Sequence, residues 1–227
     1  MILDFRGPNW FFGADIVIQI LGLIISLVIA YYGYKLYKIT SRKIDLYFSI
    51  AFALLSLDLI TYIIAVPTVF LYYAYYYPAV QPGVLLTFAQ ILNFVYMFTT
   101  SLAFIFLIMV YSGIERKNVI ALIASLIFAL TAYSYITRSY FGFNLINALL
   151  LAFIVFHVYN NFLAKKSKSA FLVMVSFMLL TISYLILAYG FYFSSNLAYL
   201  SSHILQFLGY ASLLIMLIRV KYGRKKK

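Results

Sequence analysis

The sequence predicts an all-α, polytopic membrane protein with seven transmembrane helices. Three observations support this fold class: 66% of the 227 residues are hydrophobic, only 10% are charged, and the apolar residues form seven long runs. A soluble domain carries roughly 25% charged residues, so this chain has too few charges to cover a globule in water. The composition therefore excludes a soluble enzyme, a disordered chain and a coiled coil.

Each of the seven runs is long enough to cross a bilayer, which takes about 20 apolar residues in a helix. Turn-forming and polar residues separate them: the second span is predicted to stop at Pro67, and Gly113 follows the third. Polar stretches at 165–168 and 194–196 divide the last three spans. The predicted spans are 14–37, 44–66, 84–112, 118–137, 143–163, 170–190 and 196–219.

The basic residues predict the orientation of the bundle. All Lys and Arg residues except Arg6 and Arg138 fall on one face of the predicted bundle. The positive-inside rule makes that face cytoplasmic, with the N-terminus outside and the C-terminus inside. The net charge of +12 is thus a topology signal, and no nucleic acid partner is expected. We predict a multi-pass protein of the cytoplasmic membrane.

An internal repeat is predicted within a single transmembrane domain, 1–227. With an offset of 125, residues 52–58 align with 177–183, and with an offset of 113, residues 90–95 align with 203–208. One linker helix between two triplets gives both triplets the same orientation, so the repeat is a parallel 3+1+3 arrangement. The predicted parts are repeat 1 at about 14–112, the linker helix 118–137, repeat 2 at about 143–219 and a basic cytoplasmic tail 220–227.

Polar residues within the spans mark a candidate ligand site in the outer half of the bundle. Polar groups inside a bilayer are costly, and they face either a cavity or a neighbouring helix that they hydrogen-bond. The sequence leaves both alternatives open. The candidate ligand-binding residues are Asp58, Gln90, Asn93, Asn144, Asn147, Ser183, Tyr184, His203 and Gln206.

Asp58 is the acidic residue that this interpretation places deepest, about 14 Å below the outer end of its span at 1.5 Å per residue. No Lys or Arg lies at that depth in the predicted spans. We therefore expect Asp58 to be protonated or hydrogen-bonded to Gln90, Asn93 or His203.

No catalytic constellation is found, so we predict a non-enzyme without cofactor or metal. The chain has no cysteine, and the span 196–217 has no lysine that could hold retinal. His157 and His203 differ by about 10 Å in depth, which excludes a haem shared between them. One buried aspartate and two distant histidines supply neither a proteolytic pair nor a metal site.

Two patterns resemble known families. The 3+1+3 order with the N-terminus outside resembles the sugar transporters of the SWEET type, although their Pro-Gln motif is here only the reversed dipeptide Gln81-Pro82. Residues 203–210, followed by a basic end, are similar to the seven-helix membrane domains of archaeal and bacterial sensor proteins. The first resemblance implies solute transport. The second implies ligand sensing, and since the chain ends at Lys227 the output would come from a separate cytoplasmic protein.

Three functions remain open. The protein is a small-solute transporter or sensor, a non-catalytic membrane subunit of a respiratory, secretion or DNA-transfer complex, or a receptor that signals through a partner. Such a chain is expected to contact the lipid bilayer. Its basic C-terminal segment is predicted to bind anionic lipids or an acidic cytoplasmic protein. The lack of cysteine with abundant Ile and Tyr favours a thermophilic archaeal source. The predicted lipid-binding or partner-binding residues of this C-terminal segment are Arg219, Lys221, Arg224, Lys225, Lys226 and Lys227.

Overall fold

The protein is a seven-helix membrane protein. The computed structural model describes residues 11–71, 83–113, 117–137 and 139–223. All seven helices are long and apolar enough to cross a membrane, which confirms the predicted all-α class and the number of spans. The helices are α1 (Phe12–Thr40), α2 (Lys43–Leu71), α3 (Gly83–Ser112), α4 (Lys117–Ile136), α5 (Tyr140–Lys165), α6 (Lys168–Phe193) and α7 (Asn196–Gly223).

Local capping signals fix several helix ends. Ser139 and Ser167 precede α5 and α6, and their hydroxyl oxygens accept hydrogen bonds from the backbone N–H groups of Gly142 (3.1 Å) and Ala170 (3.2 Å). A serine at this position satisfies one of the N–H groups that a helix leaves free at its start. Gly113 follows α3 with φ +64°, a left-handed conformation that glycine adopts without steric cost.

The prediction that the second span stops at Pro67 is wrong, because α2 continues through Pro67 to Leu71. Proline removes one N–H donor from the helix ladder. Within a membrane this loss is tolerated where side chains satisfy nearby backbone groups. Thr68, the next residue, donates its hydroxyl hydrogen to the carbonyl oxygen of Ile64 at 2.6 Å.

Six of the helices form a ring, and α4 lies outside it. Helices α1, α2 and α3 pack side by side in chain order, as do α5, α6 and α7, while α3 contacts α5 and α7 contacts α1 to close the ring. Helix α4 makes smaller contacts with α3 and α5, and only 17% of its most apolar stretch is buried within the chain. The ring therefore provides the interior of the molecule.

The two halves of the ring differ in polarity. Consecutive helices alternate in direction, so α1, α5 and α7 all end at the same end of the ring, which we call the basic end. A large apolar cluster fills the half nearest the basic end. Five of its large side chains are at most 2% exposed: Ile29, Phe52, Phe104, Ile154 and Phe177.

Charged side chains are exposed at the basic end. They are absent from the apolar cluster because an ion in hydrocarbon is costly. The exposed Lys and Arg residues in the part of the chain that the structure describes are Lys35, Lys38, Arg42, Lys43, Lys165, Lys166, Lys168 and Arg219.

Helices α6 and α7 pack closely at Gly209. A Cβ atom at this position would lie 2.9 Å from Cγ of Leu180 and 3.2 Å from the carbonyl oxygen of Ser176. Small residues at helix crossings allow this approach in membrane proteins. The close crossing holds the following residue, Tyr210, against the interior of the ring, where it is 6% exposed.

Candidate solute site in the helix ring

A cavity of about 40 Å³ lies inside the ring, in the half away from the basic end. We call it the central cavity. A space of this kind needs about 10–15 Å³ to hold one water molecule, so the central cavity accepts a solute about the size of a few water molecules. The side chains that line it are Gln19, Asp58, Leu59, Tyr62, Tyr96, Tyr140, Asn144, Tyr184, Leu187, Phe191, Tyr199, His203, Gln206 and Tyr210.

Helical periodicity explains how one helix contributes several lining residues. Helix α7 supplies Tyr199, His203, Gln206 and Tyr210, at intervals of three or four residues. Such residues lie on one face of an α-helix. This face meets α1 on one side and α6 on the other, so its polar side chains project into the ring.

A hydrogen-bond network around Asp15 joins α1, α2 and α7 at one wall of the cavity. The Asp15 carboxylate is fully buried and accepts hydrogen bonds from Tyr62 Oη (2.9 Å), Tyr199 Oη (3.3 Å) and Gln19 Nε2 (3.4 Å). His203 Nε2 lies 3.5 Å from Asp15 Oδ1, and the two tyrosine hydroxyls contact each other. We call these five residues the Asp15 network.

The hydrogen bonds fix how His203 takes part in this network. Its Nδ1 lies 2.9 Å from the carbonyl oxygen of Tyr199, and because a carbonyl only accepts, Nδ1 carries a hydrogen. Nε2 is then the atom that faces Asp15. One proton shared by Asp15 and His203 leaves the pair without net charge, either as two neutral groups or as an ion pair. The donors around the carboxyl favour the ion pair.

Asp58 has no such partner. It is 3% exposed, and its Oδ1 has no hydrogen-bond partner among the described residues. Thr100 is the side chain that interacts with this carboxyl, but the Thr100 hydroxyl hydrogen points to the carbonyl oxygen of Tyr96 at 2.8 Å. No lysine or arginine is among the residues that line the cavity.

The structure brings together five of the nine predicted ligand-binding residues at the cavity wall: Asp58, Asn144, Tyr184, His203 and Gln206. Asn144 is 1% exposed, and its Nδ2 donates to the carbonyl oxygen of Tyr140 at 2.7 Å. Its Oδ1 has no partner among the described residues. Because only the amide nitrogen can donate to a carbonyl, this bond determines which atom is the free acceptor.

Four predicted residues do not line the cavity: Gln90, Asn93, Asn147 and Ser183. The suggested hydrogen bonds from Asp58 to Gln90, Asn93 or His203 are not formed within the described residues. Tyr96 is the residue of α3 that lines the cavity, and His203 Nε2 faces Asp15. Asn147 is fully buried with neither side-chain polar atom partnered in the described part of the chain, and Ser183 donates to the carbonyl oxygen of Leu180 at 2.7 Å.

The structure describes only some of the predicted lipid-binding residues. Arg219 is exposed on α7. Helix α7 continues to Gly223 and so includes the backbone of Lys221, at the start of the predicted tail. Arg224, Lys225, Lys226 and Lys227 lie outside the described residues, as do Arg6 and Arg138.

Sequence reasoning missed Asp15, Gln19 and most of the lining tyrosines. Asp15 is the second residue of the predicted span 14–37, so its position alone does not indicate burial. A helical-spacing signal was present, because Asp15 and Gln19 are four residues apart, as are Asp58 and Tyr62. Such pairs share a helix face, and reading them with Asp58 would have marked the cavity wall.

In the described part of the chain, no group of three or more His, Asp or Glu side chains could hold a metal ion. Comparison with protein-family models, with curated proteins and with solved structures finds no match to this chain. The two family resemblances therefore stay predictions, and function must be inferred from the cavity.

Proposed function

We propose that the protein is a small-solute transporter or ligand sensor and that the central cavity is its binding pocket. The observation that carries this proposal is a pair of free acceptors at the cavity wall. Asp58 Oδ1 and Asn144 Oδ1 are buried and have no partner within the described residues. Leaving a buried polar group unsatisfied costs about 1–3 kcal/mol, and a solute that donates to both oxygens offsets this cost.

The alternative that these groups only join helices has less support at Asp58 and Asn144 than at other polar residues. Most serine and threonine hydroxyls satisfy themselves within their own helix, as Ser56 does with the carbonyl oxygen of Phe52 (2.8 Å) and Thr181 with that of Phe177 (2.8 Å). The Asp15 network does join helices. Asp58 and Asn144 Oδ1 do neither, which favours a role in binding.

The size of the cavity restricts the solute. A space of about 40 Å³ does not admit a hexose unless the surrounding helices move apart. We therefore propose a much smaller solute than the sugar that a SWEET-like protein implies. In this proposal the protein binds the solute and either transports it or senses it. The solute is not chemically converted.

The proposed orientation and repeat are supported by the ring. The exposed basic residues at one end favour a cytoplasmic location for that end in the cell membrane, with contacts to anionic lipids. The neighbour order of α1–α2–α3 matches that of α5–α6–α7. Residues 125 apart also have matching environments: Gln19 and Asn144 both line the cavity, and Phe52 and Phe177 are both in the apolar cluster.

The proposal is tested by asking whether water-soluble reagents reach the cavity. The chain has no cysteine, so Asn144→Cys introduces a single thiol at the cavity wall. Leu149→Cys is the matched control, since it lies on the same helix and is 63% exposed on the surface that faces lipid. We expect Ag⁺, a thiol-reactive ion about the size of one water molecule, to react with Asn144→Cys and not with Leu149→Cys when it is added outside the cell, which is detected as protection of the thiol from later alkylation in SDS. Equal, negligible modification of both would contradict a solute-accessible pocket.

A second candidate function, a membrane subunit of a larger complex, is favoured by the surface of α4. A groove of about 350 Å³ lies between α3 and α4. Leu122, Leu126 and Tyr133 on α4 are 60–70% exposed. Purification in mild detergent followed by mass spectrometry distinguishes the two functions, because a subunit retains a stoichiometric membrane partner and a transporter or sensor of this type does not require one.

A further inference from the structure

Two buried carboxyl groups differ in their charge balance: Asp58 lines the central cavity, and Asp15 lies behind its wall, bound to lining residues of the Asp15 network. Asp15 has His203 as a basic partner, with 3.5 Å between Oδ1 and Nε2. Asp58 has none among the residues lining the cavity. An ionised carboxylate without a counter-charge is too costly in a membrane interior, so such a group either keeps a proton or binds a cation.

The neighbours of Asp58 do not supply that positive charge. Those on α3, α5 and α6 are the neutral phenols Tyr96, Tyr140 and Tyr184. On α7 they are Tyr210 and His203, and His203 Nε2 lies 3.5 Å from Asp15 Oδ1 on α1. The hydroxyls of Tyr96, Tyr184 and Tyr210 are near enough to Asp58 to interact with it electrostatically.

Two acceptor oxygens of the cavity wall lack a donor in the described part of the chain, while the phenol hydroxyls and the Gln206 amide around them can both donate and accept. Asp58 Oδ1 and Asn144 Oδ1 have no donor among the described residues, and phenol oxygens and ring faces add partial negative charge. None of the lining residues is a lysine or arginine that could balance the charge of an anion. A cation of about the size of ammonium, with one water, fits a space of about 40 Å³.

We propose that Asp58 exchanges a proton for a small monovalent cation, such as an alkali ion or ammonium. In one state the carboxyl is protonated and the cavity holds no cation. In the other state the cation lies beside the carboxylate and Asn144 Oδ1, and the proton has left to the solvent. Positive charge in the cavity is the same in both states, and no oxidant or co-reactant is needed.

This inference rests on the proposed function of the cavity as a solute pocket, and it adds a pH dependence. Because one proton is displaced for each cation bound, lowering the pH raises the apparent Kd of the cation by up to about tenfold per pH unit. A neutral solute bound by the same oxygens would not show this dependence.

The first test measures the melting temperature of the purified full-length protein in NaCl, KCl or NH4Cl against choline chloride at equal concentration. We expect one or more of the small cations to raise the melting temperature, with a smaller rise at lower pH. The rise is absent in Asp58→Asn. It is retained in Asp45→Asn, where the same change removes a carboxylate that pairs with Arg42 at 3.2 Å outside the cavity.

A second measurement keeps the inference testable if Asp58→Asn does not fold. NaCl or KCl added to the weakly buffered wild-type protein in choline chloride should release up to about one proton per bound cation, as linkage between the two requires. Binding without proton release overturns the exchange.

The remaining outcomes separate this inference from the proposed function. No effect of any cation, or an effect that persists in Asp58→Asn, overturns the cation class. If Asn144→Cys is still modified from the water phase, the proposed pocket stands with another solute. If Asn144→Cys is unreactive, the pocket itself is wrong.

Discussion

Replacing Tyr62 by phenylalanine tests whether Asp15 is ionised. Tyr62 Oη donates to Asp15 Oδ2 at 2.9 Å and contacts the hydroxyl of Tyr199, in a site where both tyrosines are at most 7% exposed. The substitution Tyr62→Phe removes one oxygen and leaves the ring in place. Its effect on stability therefore reports chiefly on the lost hydrogen bonds.

The size of the effect distinguishes the two charge states. Hydrogen bonds between neutral groups of membrane helices contribute about 0.6 kcal/mol on average. Hydrogen bonds to a charged group contribute about 1.5–3 kcal/mol. Because Asp15 and His203 form an ion pair in our interpretation, Tyr62→Phe is expected to lower the free energy of unfolding by about 2 kcal/mol. For a chain of this length that corresponds to a fall in melting temperature of about 4–8 °C.

Equilibrium unfolding of the full chain in mixed micelles titrated with SDS measures this difference. Tyr189→Phe is the control, because Tyr189 is 53% exposed and its hydroxyl has no hydrogen bond recorded in the described part of the chain. We expect the control to differ from wild type by less than about 0.5 kcal/mol, as surface substitutions do. A loss of about 0.6 kcal/mol or less in Tyr62→Phe, the size expected for a hydrogen bond between neutral groups, would contradict the assignment of an ionised Asp15.

Three further substitutions follow from the packing. Gly209→Ala should lower the melting temperature, because a Cβ would lie 2.9 Å from a leucine of α6, while Gly22→Ala meets nothing closer than 3.5 Å and should not; equal effects would contradict the close crossing. Asn147→Leu should stabilise the protein by about 1 kcal/mol, because it removes a buried amide without partners; marked destabilisation would show that the amide is bound. Thr131→Val should loosen α4 by removing its 3.0 Å hydrogen bond to Ser101, detected as faster proteolysis of α4 with the ring intact; an unchanged cleavage rate would refute this.

The sequence was sufficient to predict the seven spans, because hydropathy depends on each segment alone. It was not sufficient to predict which polar residues meet. Asp15 lies close to the start of α1 and is nevertheless fully buried. Tyr62 and Tyr199 from two other helices cover it. The sequence pattern of α1 alone does not indicate which side chains of other helices cover Asp15.

The lining tyrosines were missed for a different reason. Tyrosine is common both at membrane interfaces and in cavities. Its presence in a span therefore does not predict whether it lines a site. The sequence analysis instead favoured the amide side chains of α3 as candidate ligand-binding residues. Gln90 and Asn93 look more polar than Tyr96, yet Tyr96 is the polar residue of α3 that reaches the cavity. Which face of α3 points inward depends on its packing against α2 and α5.

The two junctions that close the ring differ in a way that bears on how a solute could enter. The α7–α1 junction is held by the Asp15 network, whose buried hydrogen bonds are directional and costly to leave unmade. The α3–α5 junction is formed by apolar and aromatic contacts, such as the one between Tyr96 and Phe143 with ring centres 5.6 Å apart. Contacts of that kind can slide without leaving polar groups unsatisfied. Tyr96 also lines the cavity beside Asp58. If α1–α3 and α5–α7 move apart, fewer hydrogen bonds break when α3 separates from α5 than when α7 separates from α1. The α7–α1 junction would then act as the hinge.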